Sequence, residues 1–407
     1  MDAIAAVTHA DPYPYYAELA ARQGLFFDAR LKLWIAAGAA DVGAVLAHAA
    51  LRARPVAEPV PAAIAGGGAG QVFGALVRMN DGERHAAPKV VLQRALAGLD
   101  LAAVGTRAGE LARGLVDAER IAAAVGADLG ALAIAGAGAA AVAGAGARQA
   151  LGPAALSAWM FAAPVQTVAS LLGFRDAQLP QVAAWMGQFV ACLSPLSSAE
   201  QIAAAHGAAL ALLGSFKAML QSSAPPEGCL LAAVLSEADA AGWNNANAIL
   251  ANLVGLLSQT CEATAGLIGN SIVALMREPA KAALPAAALV ARVMRDDPPI
   301  QNTRRFAAQH VSIGGARIEA GQAILVLLAA ASRQSMQQNM QQGRQDGHAF
   351  GYGQGAHACP GQVLSQTIAA AALEALLQAG PLAPMAWRYR PSVNARIPEF
   401  IEAEETA

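Results

Sequence analysis

The sequence predicts a mainly α protein with small β-sheets. Alanine is abundant, and aromatic and charged residues make up only 5% and 14% of the 407-residue chain. Such a composition favours helices around a large apolar interior over disorder. Apolar residues recur at helical spacing over long runs that Gly and Pro interrupt, whereas the strand-like pieces are only a few residues long.

In chain order, Asp11-Pro12-Tyr13-Pro14-Tyr15-Tyr16 opens a short helix to about Gln23. Strand-like pieces at 25–28 and 33–36 follow, and Asp41 starts another short helix to about His48. Residues 55–74 are rich in Pro, Gly and Ala and read as a loop. From Met79 the chain leads into a helix, with Asp81 as its N-cap. Pro88 falls within the first turn of that helix, where a proline ring is tolerated. Helical patterns then cover 154–173, 179–193, 199–220 and 230–240, separated by breakers at Gly152-Pro153, Pro195 and Pro225-Pro226.

The longest helical run is 245–277, ended by Glu278-Pro279. A helix of that size is about 50 Å long, enough to cross a whole domain. Another helix is expected at 286–295, a hairpin over 311–318 turning at Gly314-Gly315, and a strand at 323–328. Residues 335–346 are Gln-rich and read as irregular. No internal repeat is present.

The formal net charge of −2 and the lack of a basic run exclude a nucleic-acid footprint. Cys192, Cys229, Cys261 and Cys359 are far apart and form no C-x-x-C, which argues against a disulfide framework or zinc site and for a cytoplasmic protein. The N-terminus lacks the charged start and apolar core of a signal peptide. Residues 129–147 are uncharged but nearly all Ala and Gly, which insert poorly into bilayers. They read as soluble helix and loop, so no membrane partner is expected.

Chemistry concentrates at Tyr352-Gly353-Gln354-Gly355-Ala356-His357-Ala358-Cys359-Pro360-Gly361. A helical pattern follows at once through Val363, Leu364, Ile368, Leu373, Leu376 and Leu377, and Gly380-Pro381 stops it. Cys359 therefore sits where a tight loop becomes a helix N-terminus. Amide dipoles there favour a thiolate, and glycines let backbone approach a flat cofactor. The arrangement suits a thiolate ligand to haem iron. The alternative is a glycine-rich turn around a buried cysteine.

Read from Gly353, the spacing G-x-G-x-H-x-C-x-G resembles the haem-binding loop of the cytochrome P450 family, with Tyr352 in place of the usual Phe. The resemblance covers essentially the whole chain and implies one large helical domain, 1–407, around haem b. It makes Cys359 the metal ligand and Gly353 part of the cofactor loop. His85, four residues before Lys89, would bind one propionate with it, and Arg305 and His357 would reach the propionates as well. Taken alone, His85 and Lys89 could be a solvated helix face, and Arg304 and Arg305 an exposed pair. The 55–74 loop would cover the substrate pocket and Pro195 would lie in its roof.

By the same resemblance, 245–277 is the central helix over the haem, where members carry Ala-Gly, a spacer, an acid and Thr. Here Gln259 and Thr260 replace Ala-Gly, Glu262 keeps the acid, and Ala263 stands where the alcohol belongs, with Thr264 one step on. Glu262 and Thr264 are the catalytic candidates. Thr260, a substrate hydroxyl or an ordered water could also complete the proton path. The family's Glu-x-x-Arg pair reads Arg292-Val293-Met294-Arg295, two like charges. Either a carboxylate elsewhere compensates, or Arg292 turns to solvent. Residues 335–346 match the family's meandering segment and 388–398 its closing hairpin.

The implied function is a haem-thiolate monooxygenase acting on a small organic substrate as a soluble monomer. With no flavin or nicotinamide fingerprint, electrons would come from a ferredoxin docking near the cysteine loop on Lys89 and Arg94. Gln259, Gln301 and Asn302 would border the pocket, implying a polar group on the substrate; alternatively these amides only tie helix to strand. A peroxide-using or non-oxygenating haem enzyme, or a non-catalytic haem-binding protein, are the other readings.

Overall fold

Local sequence sets the boundaries of the long helices. In the computed structural model, residues 1–22, 24–131, 150–222, 226, 228–342 and 348–403 are described. The expected helix and loop at 129–147 lies outside them from position 132 onward. Helices α1 to α4 span Tyr13–Ala20, Ala39–Ala47, Gly68–Ala75 and Glu83–Ala97. Then come α5 (Leu101–Ala131), α6 (Pro153–Leu171), α7 (Leu179–Ala191), α8 (Ala199–Ser222) and α9 (Leu230–Ala240). The long α10 runs Ala246–Arg277, followed by α11 (Ala286–Asp296), α12 (Leu328–Gln341) and α13 (Gln362–Ala379).

The Asn245 side chain accepts the Ala248 N–H at 3.0 Å, capping α10 where the sequence placed its start. Asp100 does the same for α5, accepting from Ala102 and Ala103 at 2.9 and 3.2 Å. That helix had no counterpart in the sequence reading, although Asp100 is an ordinary N-cap signal. Pro12 and Pro153 sit at or just inside helix starts, where the missing N–H costs nothing.

Strands β1 (Phe26–Asp28), β2 (Leu33–Ala36), β3 (Leu51–Arg52), β4 (Thr303–Ala307) and β7 (Ala323–Val326) form one sheet in the order β1-β2-β7-β4-β3. β2 and β7 pair in parallel, with Ile35 opposite Leu325, and the other neighbours are antiparallel. β5 (Val311–Ile313) and β6 (Ala316–Ile318) form the expected hairpin. Gly314 and Gly315 take φ +56° and +82° at its turn, a conformation side chains rarely adopt. β8 (Met385–Tyr389) and β9 (Pro398–Glu402) form the closing hairpin. Most of 388–398 is therefore its connection rather than its strands.

Several boundaries depart from the sequence reading. The 55–74 segment ends in α3, because its glycines serve packing: a Cβ on Gly67 would lie 2.1 Å from the His206 ring of α8. His206 Nδ1 also accepts the Ala69 N–H at 3.3 Å. Residues 335–341 continue α12, since Gln and Met are good helix formers and no Gly or Pro intervenes. The strand at 323–328 therefore stops at Val326, and Leu328 opens that helix. Asp81 does not cap α4; Gly82 holds that position at φ +63°. Pro88 lies in the second turn of α4, not the first.

α10 joins two hydrophobic cores. Residues such as Ile249, Leu253 and Leu257 belong to a core built with α3, α4 and α6 to α9. Ala265, Ile268 and Ile272 belong to a second, built with α5, α6, α11, α13 and the closing hairpin. Gly266 and Gly269 allow the segment after α11 and the hairpin to approach: a Cβ at Gly266 would lie 2.7 Å from Pro299, and one at Gly269 2.6 Å from Pro398.

Candidate functional site

The cysteine loop is a self-bonded turn. The Cys359 N–H donates to the Tyr352 carbonyl at 2.8 Å, Gly353 N–H to Phe350 at 2.7 Å, and Ala358 N–H to Gly355 at 3.0 Å. Gly353 and Gly355 both take φ +69°. A Cβ on Gly355 would press to 3.3 Å from the Leu46 carbonyl of α2. Cys359 is left accessible at its surface, three residues ahead of α13. The thiol is nevertheless crowded by protein, and this desolvation pushes its pKa up, against the pull of the Gly361 N–H and Lys89. The helix-terminus effect expected from sequence is thus present but outweighed. A coordinated metal would deprotonate such a thiol outright.

Cationic side chains converge beside this loop. His85, Lys89 and Arg305 are buried, so His85 and Lys89 do not form a solvated face. The His85 and His357 rings lie 4.2 Å apart. Lys89 Nζ donates to the Ala358 carbonyl, next to the cysteine. Arg305 Nη1 donates to the Arg304 carbonyl at 2.9 Å. Burial lowers His85 to about 4, helped by His357 and Lys89. Burial also lowers Lys89 and Arg305 from their usual ranges.

One carboxylate faces the group. Asp81 Oδ1 is 3.0 Å from His357 Nε2, and its Oδ2 accepts the Ala53 N–H at 3.0 Å. These bonds hold Asp81 below the usual carboxylate range although burial opposes them. The sequence reading took Asp81 for a helix cap, and only the fold brings it to His357. Lys89 is too enclosed to be the exposed docking contact expected of it, and Arg94 is exposed but paired with Glu237 at 3.7 Å.

On α10, Gln259, Thr260, Glu262 and Ala263 are half-buried while Thr264 is buried. Thr260 Oγ1 bonds back to the Leu256 carbonyl at 2.8 Å, but Thr264 Oγ1 is buried with no partner. Burial raises the Glu262 pKa, against the attraction of Arg390 and Arg78. Arg78, with a buried and unpartnered Nε, was not singled out from sequence. A lone Arg after Ala75-Leu76-Val77 was the available signal.

The amides are tied to backbone. Gln259 Nε2 donates to the Gly255 carbonyl of its own helix at 2.9 Å. Gln301, fully buried, donates to Pro298 at 2.6 Å, and Asn302 donates to Val393 at 2.9 Å. Gln301 and Asn302 thus tie the approach to β4 to neighbouring loop backbone. Arg292 turns to solvent and also finds a carboxylate, Asp296, at 3.3 Å. A different pair is buried close by: Arg396 Nε meets Asp297 at 2.8 Å, with Nη groups on the Val7, His9 and Ala10 carbonyls.

These residues fit a flat, dianionic, iron-bearing cofactor. A single accessible thiol projects from a glycine loop, four cationic or imidazole side chains face one acid, and His85 Nε2 is buried without a partner. Among the described residues, no group of three His, Cys, Asp or Glu side chains could hold a bare metal ion.

Comparison with known proteins agrees with the geometry. No protein-family model matches the chain. Among curated relatives, a biotin biosynthesis cytochrome P450 of Bacillus subtilis is 26% identical over 252 residues, covering 58% of this chain and 64% of that one. A vitamin D(3) 25-hydroxylase of Pseudonocardia autotrophica is 30% identical over 186 residues, 44% of each chain. The chain spans less than two thirds of the length of the curated relatives it matches.

Among solved structures, P450BioI in complex with an acyl-carrier-protein-ligated hexadecenoic acid has a TM-score of 0.76 at 20% identity, covering 96% of this chain and 97% of that one. CalO2 has a TM-score of 0.75 at 22% identity, covering 98% and 96%. The fold is that of P450BioI and CalO2. Curated relatives that match part of the chain, such as those of Bacillus subtilis and Mycobacterium tuberculosis, are named cytochrome P450s.

Proposed function

We propose that the protein is a soluble, cytoplasmic haem-thiolate monooxygenase, folded as one domain over 1–407 and acting as a monomer on a small organic substrate. One observation carries this reading: accessible Cys359 lies in a self-bonded glycine loop beside His85, Lys89, Arg305 and His357. Cys359 would hold the iron, and the four basic side chains would hold the propionates, with His85 Nε2 the readiest donor. Bound there, haem b supplies dioxygen activation, with single electrons from a ferredoxin.

The chain's own residues hold and place protons. Glu262, its pKa raised by burial, retains a proton nearer to neutral pH than an exposed carboxylate does. Thr264 carries a buried hydroxyl free of the i−4 bond that occupies Thr260. Ala263 offers no hydroxyl of its own. The half-buried Gln259 favours a substrate with a polar group near the oxidised carbon.

A carbon monoxide difference spectrum of the reduced, haem-loaded protein tests the ligand. The red-shifted thiolate band is expected in the parent and absent in Cys359→Ala; its absence in the parent overturns the reading. Ala263 favours one second reading, a peroxide-using or non-oxygenating enzyme. Turnover with peroxide alone that exceeds turnover with a ferredoxin system would establish it.

A further inference from the structure

A cavity of about 400 Å³ lies on the flank of α10, between α6 and α7. Its wall is apolar and built mostly from small residues such as Ala184 and Gly187, with Phe161 and Val190 beside them. Three polar groups break that wall: the buried Gln166 on α6, Glu262 on α10 and Arg390 from the connection after β8. The volume is at the small end of the range typical of ligand sites, about 300–1,000 Å³, and the lining has the usual composition of an apolar wall with few convergent polar groups.

The cavity carries one charged side chain of each sign. Glu262 and Arg390 are its only charged lining residues, and Arg78 adds a second cation on Glu262. Arg390 is exposed, and among the described residues it has no carboxylate within ion-pair distance. Its guanidinium is held 4.8 Å over the Phe161 ring, and its backbone N–H is fixed on Ile397 at 3.0 Å. A guanidinium placed this way keeps its fork of donors for a planar anion. Glu262 does not cancel it alone, because Glu262 is also attracted to Arg78 and burial disfavours its charged form.

We propose that this cavity binds a small amphiphilic carboxylic acid, with its carboxylate on Arg390 and its apolar body along the α6–α7 wall. A cationic ligand would meet the Arg390 guanidinium, and a neutral apolar one would leave it unused. Gly187 supplies an independent handle on the site. It lines the cavity, and a Cβ there meets nothing within 4 Å, so a larger side chain fills the space without strain.

The test is isothermal titration calorimetry of the full-length, haem-loaded protein with octanoate and with octanamide, equal in body and different in charge. Octanoate is expected to bind at least about tenfold more tightly than octanamide, a difference of one well-placed ionic contact. Arg390→Gln should abolish that preference and Arg390→Lys should retain part of it. Gly187→Leu should weaken both probes by about tenfold or more, since it fills the space they need.

Equal affinities in the parent, no octanoate binding, or octanoate binding that Gly187→Leu leaves intact would each overturn the proposal. If Arg390→Gln fails to fold, the parent pair of probes and Gly187→Leu still decide. Failure of the monooxygenase reading is registered separately, by the carbon monoxide spectrum of the same samples.

Discussion

His85 shows how the site's electrostatics translate into measurable behaviour. Burial, then His357 and Lys89, hold its imidazole at about 4, against an ordinary 6.5. The unfolded chain therefore takes up a proton that the folded chain refuses as pH falls from about 6.5 towards 4. This contribution to stability is intact above that window and is lost on descending through it. Discounted for partial screening, the loss is about 1–2 kcal/mol. In urea titrations of the haem-free protein, His85→Gln should flatten the pH dependence between 4 and 6.5; an unchanged slope would refute the assignment. Asp81 does not confound this, because its depressed pKa places its own loss below that window. Ala263→Thr supplies a second test, now of proton delivery. If the substrate completes the path, coupled turnover should rise less than about twofold, against the 10²–10⁴ that a restored acid–base group contributes. The loop residues and His85, Lys89 and Arg305 were legible because each lies in a local pattern or a family position. Arg78 and the Asp81–His357 contact were not, because each joins residues far apart in the chain.

Elements meet in this protein at glycines and at one buried ion pair. A methyl at Gly266 or Gly269 would press on the Pro299 or Pro398 ring, which the backbone holds. Gly266→Ala and Gly269→Ala should each cost about 1–3 kcal/mol. At Gly255 the first atom met is the end of the Leu76 side chain, 2.7 Å away, which can rotate. Gly255→Ala should therefore cost less than either, and denaturant midpoints give the order. Arg396 is wholly buried on Asp297, which also accepts from the Tyr13 hydroxyl, whereas Arg292 pairs with Asp296 at the surface. Arg396→Ala should cost about 3–5 kcal/mol and Arg292→Ala within about 0.5 kcal/mol. Comparable costs would mean that Arg292 retains a structural role. The span of α10 was readable because a capping Asn and a Glu-Pro stop bracket one apolar run. α3 was not, because its glycines are explained by close approach to other segments, Gly68 to the His206 carbonyl on another helix and Gly70 to the Ile64 carbonyl.

At the scale of the molecule, α10 takes part in two cores, and the cysteine loop meets α2 through Gly355 and α4 through Lys89. A ligand seated against Cys359, His85 and Arg305 would therefore couple α4, β4 and the cysteine loop. Any species that binds the native state alone stabilises it by mass action. At a thousandfold excess over its dissociation constant the gain is about 4.1 kcal/mol. Unfolding entropy near 60 °C is about 2.1 cal/mol/K per residue, or roughly 850 cal/mol/K for this chain, so haem should raise the melting temperature by about 5 °C. Arg305→Ala should reduce that rise more than it lowers the haem-free melting temperature, because among the described residues the Arg305 side chain hydrogen-bonds only to the neighbouring Arg304 carbonyl. Calorimetric scans of the four samples, parent and variant with and without haem, separate the two effects. An equal fall in both states would make Arg305 a structural residue, and haem would then owe its hold on this chain to the remaining basic groups.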